Sequence, residues 1–172
     1  MKLGFFSFAA VCVLVTAANV GWSAPKLDLS ECKKAEIKFD DGDSFSCGEE
    51  QVRVLGIDAP EVAHPRHGFH KDQPYGQNAS QLTKKLLSEA RRIVMVRGGK
   101  DPYGRTLAHI IIDGDLLGVR LLKAGLAYEN VSRYGTNGLP EFALMIKEAA
   151  KISPKPKFDD PHVWRKQNKG KK

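Results

Sequence analysis

The stretch Gln51-Val52-Arg53-Val54-Leu55-Gly56-Ile57-Asp58-Ala59-Pro60-Glu61 decides the fold. Its first seven residues alternate, with Val52 and Val54 on one face and Arg53, Leu55 and Ile57 on the other, which is the pattern of a strand from Gln51 to Ile57. Arg53 then shares a face with apolar residues, an expensive place for a charge unless a partner or ligand meets it. Upstream, Glu36-Ile37-Lys38-Phe39 alternates like a half-buried strand and runs into Asp41-Gly42, a dipeptide favoured in tight hairpin turns, with Ser44 to Cys47 returning.

Downstream, Asp58 to Asp72 holds two prolines and three histidines without an apolar period and reads as a loop. A helix follows, with Pro74 suited to its first turn and Ala79, Leu82, Leu86 and Ala90 forming a core-facing stripe. Ile93–Val96 and Thr106–Ile112 are apolar or β-branched and read as strands. A second helix spans about Asp115 to Ala124 before Gly125, a good left-handed cap, and a third runs from about Leu139 to Lys151 with Phe142, Ala143, Ile146 and Ala149 on one face. Five strands and three helices in this order fit an α+β fold, a five-stranded barrel of the oligonucleotide-binding (OB) kind with helices around it, among other α+β arrangements.

The two ends read differently from the middle. Residues 1–24 have a basic start, an apolar run from Leu3 to Val20 and a small-residue exit at Gly21-Trp22-Ser23-Ala24, the layout of a secretory signal peptide. The cut site is ambiguous, and an uncleaved membrane anchor is the alternative because the run is near the spanning length. A domain over 25–164 and a basic, disordered tail over 165–172 complete the expected layout; the tail has five basic residues and no acids.

The chain carries 27 Lys and Arg against 20 Asp and Glu, a formal charge of +7 that suits a polyanionic partner. Export also fits the thiols. Beyond Cys12 in the signal, only Cys32 and Cys47 remain, an even number that favours a disulfide, with two buried free thiols as the alternative. A bridge would close a loop of about 15 residues and contribute about 3 kcal/mol in the chain-entropy model.

Charged residues stand out in three places: Asp41-Gly42-Asp43, Arg53 through Glu61, and Asp101-Pro102-Tyr103-Gly104-Arg105. With Tyr75-Gly76 and Gly125-Leu126-Ala127, these segments occur in the order found in staphylococcal (thermo)nuclease-like proteins, and the chain resembles that family over roughly residues 36 to 164. The resemblance implies a nuclease that hydrolyses phosphodiester bonds of DNA and RNA, single-stranded or locally open, with little sequence preference and with 3′-phosphate products. It implies Ca2+ held by Asp43, Asp58 and the backbone carbonyl of Ala59, Glu61 as general base, and Arg53 and Arg105 as the phosphate-gripping pair.

The implied roles agree with the residue types. Calcium prefers about 6–8 oxygen ligands in flexible geometry, which two carboxylates and a carbonyl begin to supply. Guanidinium forks match phosphate better than lysine does.

Some positions depart from the family's pattern. Ala59 replaces a threonine, Pro102 replaces a lysine, and a one-residue gap past Ala127 leaves Tyr134 on one of two substrate-side tyrosines and Ser132 on the other. Tyr103 and Tyr134 are the substrate-binding candidates, with Tyr128 as a rival and plain packing as the alternative. His64, His67 and His70 recur every three residues, but a Pro-rich loop offers no helix to align them on zinc. The expected protein is a monomer with no stable protein partner, secreted or periplasmic. Structural Arg–Asp ion pairs and a noncatalytic nucleic-acid-binding or docking module are the competing readings.

Overall fold

The computed structural model describes residues 27–170, so the signal expected over residues 1–24 lies outside the described residues. The strands are β1 (Asp28–Glu31), β2 (Ile37–Phe39), β3 (Ser44–Cys47), β4 (Glu50–Val54), β5 (Ile57–Asp58), β6 (Ile93–Lys100), β7 (Thr106–Ile112), β8 (Asp115–Leu116) and β9 (Tyr128–Glu129). The helices are α1 (Gly76–Glu89), α2 (Leu117–Lys123), α3 (Val131–Tyr134), α4 (Pro140–Ile152) and α5 (Pro161–Asn168). This is the expected α+β architecture, with more short elements than the patterns announced.

One sheet runs in the order β1-β6-β7-β4-β3-β2, with β8 added on β7 and β4 parallel to β7. The ladder does not close, because β1 and β2 are not hydrogen-bonded to each other. A covalent link approaches closure instead. Cys32 follows β1 at one edge, and Cys47 pairs with Ile37 of β2 at the other. Their sulfurs are bonded at 2.05 Å, with Cα atoms 6.0 Å apart. The disulfide reading of the two cysteines is the one the structure adopts.

Val52 and Val54 point into a single core with Phe45, Ile93, Met95, Ile110, Leu87, Leu117, Leu121 and Ile146. Leu55 lies in a smaller cluster with Val96 and Leu139. The strand expected to reach Ile57 ends at Val54. Gly56 turns the chain at φ 82°, and a side chain there would meet Ile146 at 3.1 Å. Ile57 therefore enters the main core with Val52 and Val54, and Asp58 is redirected. This break in the alternation positions the site.

Other differences have local causes. The face that α1 turns to the core is wider than the expected stripe: Ala79 and Ala90 are buried and Leu82 and Leu86 pack on the core as expected, and Gly76, Thr83 and Leu87 are buried beside them. Thr83 tolerates burial because its hydroxyl donates to Gly42 O at 2.6 Å. Asp115 and Leu116 pair with β7 before α2 begins, and Gly125 takes the expected left-handed cap at φ 67°.

The disordered tail expected over 165–172 is corrected for Arg165–Asn168, which continue α5. Asp160 caps that helix by accepting from the His162 and Val163 amides, Pro161 opens it, and Trp164 is buried with its ring 5.8 Å from Phe69. The basic composition beyond Trp164 hid the continuation of the helix that this residue docks. No helix among the described residues is long and apolar enough to cross a membrane.

Candidate active site

The site is assembled from the start of β3, the turn after β4, the loop beyond β5 and the C-terminal helix. Asp41 Oδ1 accepts the Asp43 amide at 2.9 Å, which orders the turn ahead of β3. Gly42 is required there by space. An added Cβ would sit 2.7 Å from Ala79 and 2.8 Å from Ala59, so the turn packs directly on α1 and the metal-candidate loop. The mirror-image hairpin turn suggested by Asp41-Gly42 is not formed, since neither residue has positive φ.

Asp43 and Asp58 are 1% and 2% exposed. Arg53, held in mid-sheet between Ser44 and Leu107, spans them. Its Nη1 pairs with Asp43 Oδ1, and its Nη2 donates to Asp58 Oδ1 at 2.6 Å and reaches Ile57 O at 3.4 Å. Asp43 Oδ2 accepts the Ala59 amide at 2.5 Å, which ties the two acidic segments together.

A second guanidinium enters from α5. Arg165 donates to Asp58 Oδ1 at 3.1 Å and Oδ2 at 2.7 Å, and to Glu61 Oε1 at 2.5 Å. Glu61 is fixed through its backbone: its amide donates to Gln73 Oε1 at 3.2 Å, and its carbonyl accepts the Gln73 amide at 2.9 Å.

Burial pushes the Asp58 carboxyl up, but Arg53 and Arg165 overcome it and hold the group below its ordinary value. Glu61 goes the other way. Burial, reinforced by Asp41, raises it against the opposing pull of Arg165 and Arg53. Burial lowers Arg165, yet its bonds to Asp58 and Glu61 outweigh this and raise it above the usual guanidinium value. Two acids three residues apart are thus driven in opposite directions, an arrangement suited to one permanently charged ligand and one proton acceptor.

Residues 51–153 match the family described as staphylococcal nuclease homologue. The thermonuclease of Staphylococcus intermedius is 36% identical over 117 residues, covering 67% of this chain and 64% of that protein. The thermonuclease of Staphylococcus hyicus is 36% identical over 96 residues, or 53% and 55% of the two chains. Endonuclease YncB of Bacillus subtilis (strain 168) is 32% identical over 137 residues, or 73% and 58%. The chain belongs to the staphylococcal nuclease homologue family. It spans about three-fifths of the length of these curated relatives.

Within this family member, the sequence-predicted residues divide. Asp43, Asp58, Ala59, Glu61 and Arg53 converge. Arg105 does not join their hydrogen-bonded cluster. Its Nε donates to Asp101 Oδ2 at 2.7 Å, and Asp101 Oδ1 accepts the Tyr103 and Arg105 amides, each at 2.9 Å. Its charge still reaches the site, lowering Asp40 and Asp41 against the larger raising effect of their burial.

The tyrosines lie outside the cluster. Tyr103 is 85% exposed, with the Arg105 guanidinium 5.8 Å from its ring, and Tyr134 is exposed at the end of α3. Tyr128 instead donates to Phe158 O at 2.6 Å. His64 and His67 stack at 3.8 Å and His70 is exposed, so the three rings do not meet at one point. Among the described residues, no group of three or more His, Cys, Asp or Glu side chains is poised as a ready metal site.

Gln73 and Arg165 escape the sequence reading, and Asp41 stands out there only as a charge beside Asp43, with no role of its own. Asp41 lines a small cleft with Asp40, Glu61 and His64. Asp160-Pro161, an N-cap followed by a first-turn proline, was the available signal for α5 and hence for Arg165.

Proposed function

We propose that this family member is an exported, calcium-dependent nuclease that hydrolyses phosphodiester bonds of DNA and RNA with little sequence preference and leaves 3′-phosphate ends. One observation carries the reading: a single guanidinium, that of Arg53, spans Asp43 and Asp58 in a buried pocket shared with Glu61. Carboxylates so close together need a cation, and arginine nitrogens supply it here.

The donors fit a hard divalent ion. Asp43, Asp58 and the carbonyl of Ala59 offer only oxygen, the preference of calcium, and the Asp43–Ala59 hydrogen bond supports their proximity. When bound, the ion would offset negative charge developing on the nonbridging phosphate oxygens.

The remaining work falls to the side chains. Arg53 and Arg105 bind the anionic phosphate, Arg105 by exchanging Asp101 for substrate. Glu61 takes the proton of the attacking water, helped by the upward shift that burial and Asp41 impose. The water oxygen bonds to phosphorus as the bond to the 5′ oxygen breaks; the 5′ oxygen leaves as an alkoxide and takes a proton from solvent, and the phosphate stays on the 3′ side. These groups touch phosphate and not base edges, which favours low sequence preference. The disulfide agrees with an oxidising destination, with residues 1–24 as the export signal and the protein acting as a monomer.

The test is digestion of heat-denatured DNA and RNA in calcium, in magnesium and in chelator. Calcium-supported cleavage that disappears in Glu61→Gln is expected. Undiminished cutting in chelator rejects the metal role, and tight binding without cutting points to a docking module.

A further inference from the structure

Arg165 stands where a cation belongs. Its two Nη atoms cover both oxygens of Asp58 and one oxygen of Glu61, at 2.5–3.1 Å. Arg53 shares Asp58 Oδ1, so neither oxygen of that carboxylate is free. Any ion that binds Asp58 must therefore compete with an arginine already in place.

The two arginines are anchored differently. Arg53 is rooted in the central strand β4, with 14% of its side chain exposed, whereas Arg165 closes the site from α5 with 26% exposed. The backbone of α5 is held independently of the carboxylates. Trp164 packs on Phe69, Gln73 Nε2 donates to Asp159 O at 2.6 Å, Arg133 pairs with Asp160 at 3.1 Å, and the Gly170 amide donates to Gly68 O at 2.9 Å. These contacts keep the guanidinium at a high local concentration beside Asp58.

Geometry decides which group yields. Asp41, Asp43, Asp58 and Glu61 carry four negative charges when ionised, against two from Arg53 and Arg165, so a divalent ion can be accommodated by charge but not beside both guanidinium groups on Asp58. An ion on those oxygens displaces the more exposed arginine, Arg165. Arg165 can leave by side-chain rotation alone, without opening the sheet or undocking Trp164.

We infer that Arg165 is an internal counter-cation of the catalytic carboxylates, which a divalent ion must displace from Asp58 and Glu61, so that this residue sets the metal concentration the site requires. The inference rests on the metal-binding reading proposed above. It also explains a helix docked so that an arginine meets two buried acids.

Calorimetric titration with calcium chloride tests this on the full chain, on Arg165→Gln, on Arg165→Lys and on Asp58→Asn, each checked for folding by circular dichroism. Arg165→Gln is expected to bind calcium about tenfold more tightly than the unaltered chain, the scale of one charge-assisted contact removed from competition. Arg165→Lys, which keeps the charge but loses the fork, falls between them, and Asp58→Asn loses the titration. Unchanged or weaker binding in Arg165→Gln, with Asp58→Asn still defective, overturns the role of Arg165 and leaves the metal reading intact. Calcium binding that Asp58→Asn does not alter removes both. If Arg165→Gln does not fold, the lysine variant decides alone: tighter binding than the unaltered chain supports the competition, and equal or weaker binding overturns it.

Discussion

Gln73 and Glu61 hold each other by two hydrogen bonds, one from the Glu61 amide to Gln73 Oε1 and one from the Gln73 amide to Glu61 O. Gln73 is 1% exposed, and its Nε2 continues to Asp159 O. The proposed base is thus connected through one buried amide to the segment that leads into α5. Gln73→Leu removes two side-chain bonds, to the partly buried Glu61 amide and to the carbonyl of the exposed Asp159, at a cost of about 1 kcal/mol for each bond lost. A drop in kcat larger than any change in KM is expected, with a lower urea midpoint. Normal kcat in a destabilised variant would confine Gln73 to a structural role.

Trp164 carries the docking of α5. It is buried against Phe69 on a helix of only eight residues, too short to persist without tertiary contacts. Trp164→Ala should cost about 3–5 kcal/mol, as loss of a large buried aromatic does. It should also release Arg165 from Asp58, so protection of the α5 amides from hydrogen exchange should vanish before that of β7. Simultaneous loss of protection in both would make α5 part of the global unfolding unit.

β7 was readable over its whole length because Thr106 to Ile112 is a β-branched, mostly buried run. The acidic cluster was readable because Asp43, Asp58 and Arg53 are charges in apolar surroundings and carry the family's spacing. The turn at Gly56 was not, because alternation continues through it in sequence while a positive φ redirects the chain. Arg165 was hidden by its basic neighbours, which resemble a solvated tail. Arg105 was recognised, but a local partner, Asp101, holds it apart from the acids, and such a choice between nearby partners depends on geometry that spacing does not encode.

His109 gives the fold a pH dependence separate from the site. It is 2% exposed on β7, stacked 5.3 Å from Phe142, and burial pushes it down to about 4 from 6.5. Between those values the unfolded chain takes up a proton that the folded chain refuses, so stability falls as pH decreases from 6.5 towards 4. The loss between pH 7 and pH 5 should be about 2 kcal/mol. Urea midpoints across that range should slope downward in the unaltered chain and flatten in His109→Leu. An equal slope in both would assign the effect to other groups.

Glu61 is expected to weaken the fold that carries it. Burial and the nearby Asp41 raise its carboxyl above the ordinary value, so the folded chain binds its proton more tightly than the unfolded chain does. Stability from that preference is complete below the unfolded value of 4.5 and is lost as pH rises through the higher folded value. At neutral pH Glu61 is ionised against the preference of its surroundings, a tension common at functional sites. Glu61→Gln should therefore lose nuclease activity yet melt at a higher temperature than the unaltered chain at pH 7. As pH falls below the unfolded value of 4.5 and Glu61 takes up its proton, the difference should shrink. A variant less stable at pH 7 than at pH 4, relative to the unaltered chain, would mean that the Arg165–Glu61 pair outweighs burial, and the upward shift inferred for the base would be wrong.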